Sequence, residues 1–245
     1  MTGSPLDVRR REISDALQAV RERIDQACVA AGRPTDVDLL VVTKTFPAAD
    51  VDILAELGVT DVGENRDQEA SAKRDVVRSS ELTWHMIGRL QSNKAASVAR
   101  WADVVESVDR ASVIPRLATG AERAMAQRGG PVRVLIQVNL DDPVAPQRGG
   151  APVDQIPQIA EAIDAFPGVL ELRGVMAVAP HPATGVEPRW AFDRLYEAYE
   201  ELRSERPQLD TISAGMSGDL EAAIAAGATQ VRIGGAILGQ RPVVQ

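Results

Sequence analysis

Apolar positions along the chain follow two alternating rhythms. The first is helical. Ile13, Leu17, Val20, Ile24 and Ala27 recur at steps of three and four, which predicts one helix with a single buried stripe. Ser4 stands where a cap is needed, Pro5 suits the first helical position, and Asp7 falls in the positive first turn. Gly32 and Pro34 end it. Cys28 lies beside the stripe and is expected to be a buried, inert thiol. Beyond this helix, short β-branched runs predict strands over Leu39–Val42, Asp61–Gly63, Trp84–Ile87, Val104–Ser107, Val132–Val138, Leu172–Val178, Thr211–Ser213 and Gln230–Ile233. Helical patterns fall between them, over Ala48–Leu57, Arg66–Val77, Lys94–Trp101, Val113–Gln127, Pro152–Ala165, Pro188–Glu205 and Asp219–Ala226. Continuous apolar strands joined by amphipathic helices imply a parallel sheet, and eight of them imply closure. The expected fold is therefore α/β, a single (β/α)8 TIM-like barrel with an extra N-terminal helix. The Pro- and Gly-rich stretches Asp141–Ala151 and Ala179–Glu187 read as long loops within one domain spanning residues 1–245.

Composition narrows the class. A length of 245 residues suits one such barrel, typically about 250 residues long. The net charge of −8 argues against a broad nucleic-acid or anionic-membrane surface. One cysteine and two histidines cannot build a zinc cage or an internal disulfide. No signal-peptide pattern and no run of 18 apolar residues is present, so a cytoplasmic protein with no membrane span is expected. No Gly-x-Gly-x-x-Gly follows the first strand, which counts against a dinucleotide fold.

Chemistry in a parallel barrel gathers where strands end and loops begin. Lys44 directly follows the first strand. Partial burial there would favour a neutral amine able to form a Schiff base, although an exposed lysine at a loop start is the bland alternative. Gly63-Glu64-Asn65 follows the second strand, with Glu64 and Asn65 expected on the rim or Asn65 as a helix cap. The seventh and eighth strands run into Gly215-Met216-Ser217-Gly218 and Gly234-Gly235, a placement suited to phosphate; Ser217 could also open the following helix. Arg232 is either a charge partner inside the barrel or a ligand for a ring nitrogen. His85 reads as a satisfied core residue, and Trp101, Trp190, Tyr196 and Tyr199 as packing residues. Gly215-Met216-Ser217-Gly218-Asp219 approaches a hydrolase nucleophile elbow, but its fifth position is not glycine and both histidines precede the serine.

Taken together, Val42-Thr43-Lys44-Thr45, Gly63-Glu64-Asn65, Trp84 through Lys94, Leu172 through Ala177, Gly215 through Asp219 and Val231 through Gly235 resemble the YggS/PROSC group of pyridoxal phosphate homeostasis proteins. The resemblance implies a barrel like the N-terminal domain of alanine racemase. It implies pyridoxal 5′-phosphate (PLP) as cofactor, with Lys44 forming the internal aldimine and Arg232 facing the pyridine nitrogen. Asn65 would lie near the ring, Ser217, Gly234 and Gly235 around the phosphate, and Ser213 and Met216 close by. Many members carry Thr or Ser where this chain has Gly235. The implied role is a carrier that buffers the aldehyde rather than an enzyme. Expected partners are PLP and, as recipients, PLP-dependent apoenzymes, with the chain itself a monomer. A weakly active racemase-like enzyme is the alternative. It is disfavoured because the chain stops just past the eighth strand, without a domain to supply a second base. A barrel binding another phosphorylated metabolite is the third reading.

Overall fold

The computed structural model describes residues 4–141 and 148–240. Most of the predicted 141–151 loop and the last five residues lie outside the described residues. The chain opens with α1 (Pro5–Ala30) and then alternates through β1 (Asp38–Val42), α2 (Ala48–Glu56), β2 (Asp61–Glu64), α3 (Asp67–Arg74), β3 (Thr83–Met86), α4 (Ala95–Trp101) and β4 (Val104–Val108). It continues through α5 (Ile114–Arg128), β5 (Val132–Val138), α6 (Ile156–Asp164), β6 (Leu170–Ala177), α7 (Pro188–Glu205), β7 (Thr211–Ser213), α8 (Leu220–Ala225), β8 (Gln230–Ile233) and α9 (Gly235–Leu238). All neighbouring strands pair in parallel, and β8 returns to β1 to close the barrel. No described helix is long and apolar enough to cross a membrane.

The N-terminal helix forms as its punctuation predicts. Ser4 Oγ accepts from the Asp7 amide while the Asp7 carboxylate accepts from the Ser4 amide, a complete capping box. At the other end Gly32 takes φ 66°, and the Arg33 amide donates to the Cys28 carbonyl. Ile13, Leu17, Val20, Ile24, Ala27 and Cys28 are buried. Burial pushes the Cys28 thiol up, in keeping with an inert residue.

Strand alternation separates two layers. Val41, Val62, Trp84, Val105, Val134, Ile136, Val231 and Ile233 join the apolar cluster against the helices. The alternate buried positions face the barrel axis, and there the usual Val, Ile and Leu filling gives way to His85, Glu106, Gln230 and Arg232. The barrel interior therefore carries a polar cluster beside the apolar Val104, Leu135 and Met176. It connects two cavities, one at each end.

Three expectations need correction. Trp190 and Tyr196 are more exposed than expected of packing residues, at 48% and 41%. The buried stripe of α7 runs through Ala191, Phe192, Leu195, Ala198, Tyr199 and Leu202; Tyr196 flanks it with its ring against Gly227, and Trp190 carries the Arg194 guanidinium 4.9 Å from its ring centre. Ser217 does not open a helix: α8 starts at Leu220 with Asp219 at its N-cap position. Asn65 does not cap α3, whose cap position is Arg66. Strand ends otherwise shift by one or two residues.

Candidate functional site

A cavity of about 480 Å³ opens at the C-terminal ends of the strands. Its wall carries Lys44, Asn65, Met216, Ser217, Arg232, Gly234 and Gly235, so the structure brings seven of the eight expected site residues to one place. Ser213 is the exception. It is fully buried beneath the floor and touches the cavity only through Arg232. Gly218 of the expected glycine loop lines the wall too, and Gln137, Met176 and Ile87 do so without having been expected.

The segment around Lys44 is clamped from below. Thr43 is fully buried; its hydroxyl donates to Glu64 Oε1 at 2.7 Å, and its carbonyl accepts from Lys73 Nζ at 2.9 Å. Lys73 also meets Glu64 Oε1 at 2.5 Å and Glu69 Oε1 at 3.4 Å. The Thr45 amide donates to Glu69 Oε1 at 2.6 Å. Thr45 sits at φ 70°, the left-handed region that a β-branched residue avoids. A carboxylate and a buried ammonium on α3 thus hold a strained turn, which fixes where Lys44 leaves the barrel. Glu64, expected on the rim, has instead turned inward. Burial raises its carboxyl above the ordinary range despite Lys73.

Arg232 forms the floor. Nη1 donates to the Ser213 carbonyl and hydroxyl, both at 2.7 Å, and Nη2 donates to the Ala177 carbonyl at 2.6 Å. The guanidinium is thereby held flat and immobile, with Nε making no hydrogen bond to a described residue. Burial draws its pKa down, opposed by Glu106 and Asp219.

The two glycine loops make the remaining wall. The amides of Ser217, Gly218 and Gly234 have no acceptor among the described residues. A Cβ built at Gly218 or Gly235 meets nothing within 4 Å, so open space lies in front of both. Gly215, at φ 95°, brings the first loop against α8, where a Cβ would come within 2.7 Å of Ala223. Asp219 closes that loop by accepting from the Met216 amide at 2.6 Å.

α1 grips both loops from outside, a function no sequence pattern announced. Arg23 Nη1 donates to the Ser217 carbonyl at 2.9 Å while its other nitrogens chelate Glu221 at 2.6 and 2.7 Å. Arg9 donates to the Leu238 carbonyl at 3.0 Å and to Asp50 at 2.6 Å. The wall carries no carboxylate, phenol, thiol or imidazole among the described residues. Tyr196 and Tyr199 line a separate surface depression with Arg189 and Asp193.

This geometry has known counterparts. The pattern of the family described as alanine racemase, N-terminal domain, matches residues 16–242. The pyridoxal phosphate homeostasis protein of Mycobacterium tuberculosis is 41% identical over 251 residues, covering 95% of this chain and 94% of that protein. Among solved structures, PipY of Synechococcus elongatus with PLP bound superposes with TM-score 0.74 at 31% identity, covering 93% of this chain and all of that one. A protein described as unknown from Bifidobacterium adolescentis gives TM-score 0.81 at 32% identity, covering 94% and 96% of the two chains.

Proposed function

Because the chain belongs to the pyridoxal phosphate homeostasis proteins, which carry the alanine racemase N-terminal domain, we propose that its strand-end cavity holds PLP covalently on Lys44 and buffers it without turning over substrate. The observation that carries this reading is the meeting, in one cavity, of a lysine at a clamped turn, an immobilised arginine floor and two open glycine loops. These residues fit the cofactor. Unpartnered amides with open space before them suit a phosphate, and the space between the loops and Lys44 suits a planar ring. The relative whose structure contains PLP supports the choice of cofactor.

When bound, PLP supplies an aldehyde that condenses reversibly with a primary amine, releasing water, and a pyridine ring that withdraws electrons. Lys44 presents that amine. The amides of Ser217, Gly218 and Gly234 would hold the phosphate, with Asn65 and Ile87 on the cavity wall beside the ring. Arg232, a guanidinium, would support the ring nitrogen without protonating it, and electron withdrawal by the ring would then be weak. Racemisation requires a proton acceptor on each face of the substrate carbon. Lys44 is the only side chain on the described wall able to serve, which favours a carrier over a racemase. We place the whole chain in one domain acting as a monomer, with PLP-dependent apoenzymes as recipients.

The test is the absorbance spectrum of purified wild type and Lys44→Ala, followed by borohydride reduction and peptide mapping. A yellow wild type with the reduced adduct on the Lys44 peptide, and no sustained racemisation or transamination, is expected. A colourless protein that stays unlabelled after incubation with PLP removes the cofactor reading.

A further inference from the structure

A line of hydrogen bonds runs through the barrel from one cavity to the other. At the N-terminal ends of the strands lies a cavity of about 370 Å³, lined in part by Asp61, His85 and Gln230. From there Asp61 Oδ1 meets His85 Nε2 at 2.9 Å, and His85 Nδ1 meets Glu106 Oε1 at 2.7 Å. The Ser213 hydroxyl donates to Glu106 Oε2 at 2.7 Å and accepts from Arg232 Nη1 at 2.7 Å. Gln230 Nε2 braces the middle, donating to Glu106 at 2.8 Å and Ser213 at 3.0 Å. His85, Glu106, Ser213 and Arg232 are all buried.

The polarity of this line is fixed by its chemistry. Ser213 and Gln230 donate to Glu106, and His85 does so when Nδ1 carries a proton, an arrangement that a carboxylate satisfies in full. The Ser213 hydrogen must point to Glu106, which turns its lone pairs toward Arg232 and Gln230. With His85 protonated the charges alternate, negative at Asp61, positive at His85, negative at Glu106 and positive at Arg232. Burial alone would push the His85 imidazole down, but its hydrogen bonds to Asp61 and Glu106 together hold it above the ordinary histidine value.

We propose that this column couples the charge of His85 to the strength with which the upper cavity holds an anionic cofactor, making His85 and Glu106 positioning residues for Arg232. The proposal rests on the PLP reading above. Protonated His85 balances Glu106, leaving the charge of Arg232 to act on the cavity. Loss of that proton leaves Glu106 to be balanced by Arg232 alone, and the cavity becomes less attractive to a phosphate. Other charges face the same ring: Asp38 of β1, Arg133 of β5, Arg173 of β6 and Asp210 before β7 line the lower cavity. They set the midpoint of the response. Its transmission upward runs through Glu106.

The experiment measures PLP affinity by equilibrium dialysis against pH for wild type, His85→Gln and Asp61→Asn. The ratio of wild-type to His85→Gln affinity cancels every pH effect the two share and so isolates the column. That ratio should fall about fivefold as His85 deprotonates, within the range of ordinary site-to-site coupling. Asp61→Asn, which keeps the ring, should move the fall to lower pH. By reciprocity, PLP should raise the His85 titration midpoint in an NMR titration by ~0.7 pH unit, while His181 in the same spectra stays put. A ratio flat with pH, or a His85 midpoint indifferent to PLP, overturns the coupling and leaves the cofactor reading intact. Failure of wild type to bind PLP at all overturns both.

Discussion

Replacing Arg23 by methionine should separate phosphate recognition from stability. Arg23 leaves the polar face of α1, is 37% exposed, and spans to Glu221 and to the Ser217 carbonyl. The exposed ion pair contributes about 0–1 kcal/mol and the carbonyl hydrogen bond roughly 1 kcal/mol. Methionine preserves most of the stem's apolar contact. The expected loss of about 1–2 kcal/mol is small against a typical unfolding free energy of about 5–15 kcal/mol, so the protein stays folded. What changes is the order of the Ser217–Gly218 loop. Reordering it on binding should cost about 0.5–1.5 kcal/mol, a twofold to tenfold loss of PLP affinity. Pyridoxal has the same ring and aldehyde but no phosphate, so its affinity should not move. Parallel titrations of both ligands, followed by absorbance, decide the matter. Equal weakening of PLP and pyridoxal would refute the view that Arg23 acts through the phosphate loop, and so would no change in either.

Three further outcomes follow from the geometry. Lys73→Met strands the fully buried Glu64 carboxylate and should lower the unfolding free energy by about 3–5 kcal/mol in urea titrations; adding Glu64→Leu should recover much of it. Gly235→Ser places a Cβ where nothing lies within 4 Å, and its hydroxyl should tighten PLP binding about fivefold without loss of stability, measured by the same absorbance titration. For pH, His85 is raised from 6.5, so its contribution is complete below that value and is lost as pH rises through the folded midpoint. Glu106 is lowered from 4.5, against burial and by His85 and Arg232, so its contribution is complete above that value and is lost as pH falls through its folded midpoint. Urea unfolding of wild type should therefore weaken as pH rises above 6.5 through the folded His85 midpoint, and His85→Gln should lack that limb.

What sequence pattern revealed was what repeats. Eight β-branched runs with helices between them are a strong periodic signal, and the strand order follows from chain order in a parallel barrel. Lys44 and the two glycine loops were legible because each follows a strand, and Arg232 because it is a charge inside the last one. The clamps were not. Arg23 lies on the polar side of an amphipathic helix, where a solvated charge looks the same as a gripping one. α9 is a single turn after two glycines, too short to carry a period. Glu106 did leave a trace, since an acid inside Val104-Val105-Glu106-Ser107-Val108 must find a partner if that strand is buried. Its partners come from β3, β7 and β8, and no local pattern pairs them.

The arrangement also explains why the site belongs to the closed barrel and to no part of it. Lys44 follows β1 and Arg232 lies in β8, the first and last strands, which meet in a register pairing Leu40 with Arg232 and Val41 with Ile233. An open sheet in the same strand order would place the lysine and the arginine at opposite edges. The residues that reinforce this seam come from the earliest segment of the chain, because Arg9 and Arg23 on α1 reach the carbonyls of Leu238 and Ser217. Contacts so distant in sequence carry a large loop-closure cost. A ligand that bridges Lys44, Arg232 and the glycine loops therefore binds the closed state and not its precursors. Its binding free energy adds directly to closure. The extra helix thus braces the proposed site: it ties the Ser217 loop and the turn that ends at Leu238 to the start of the chain.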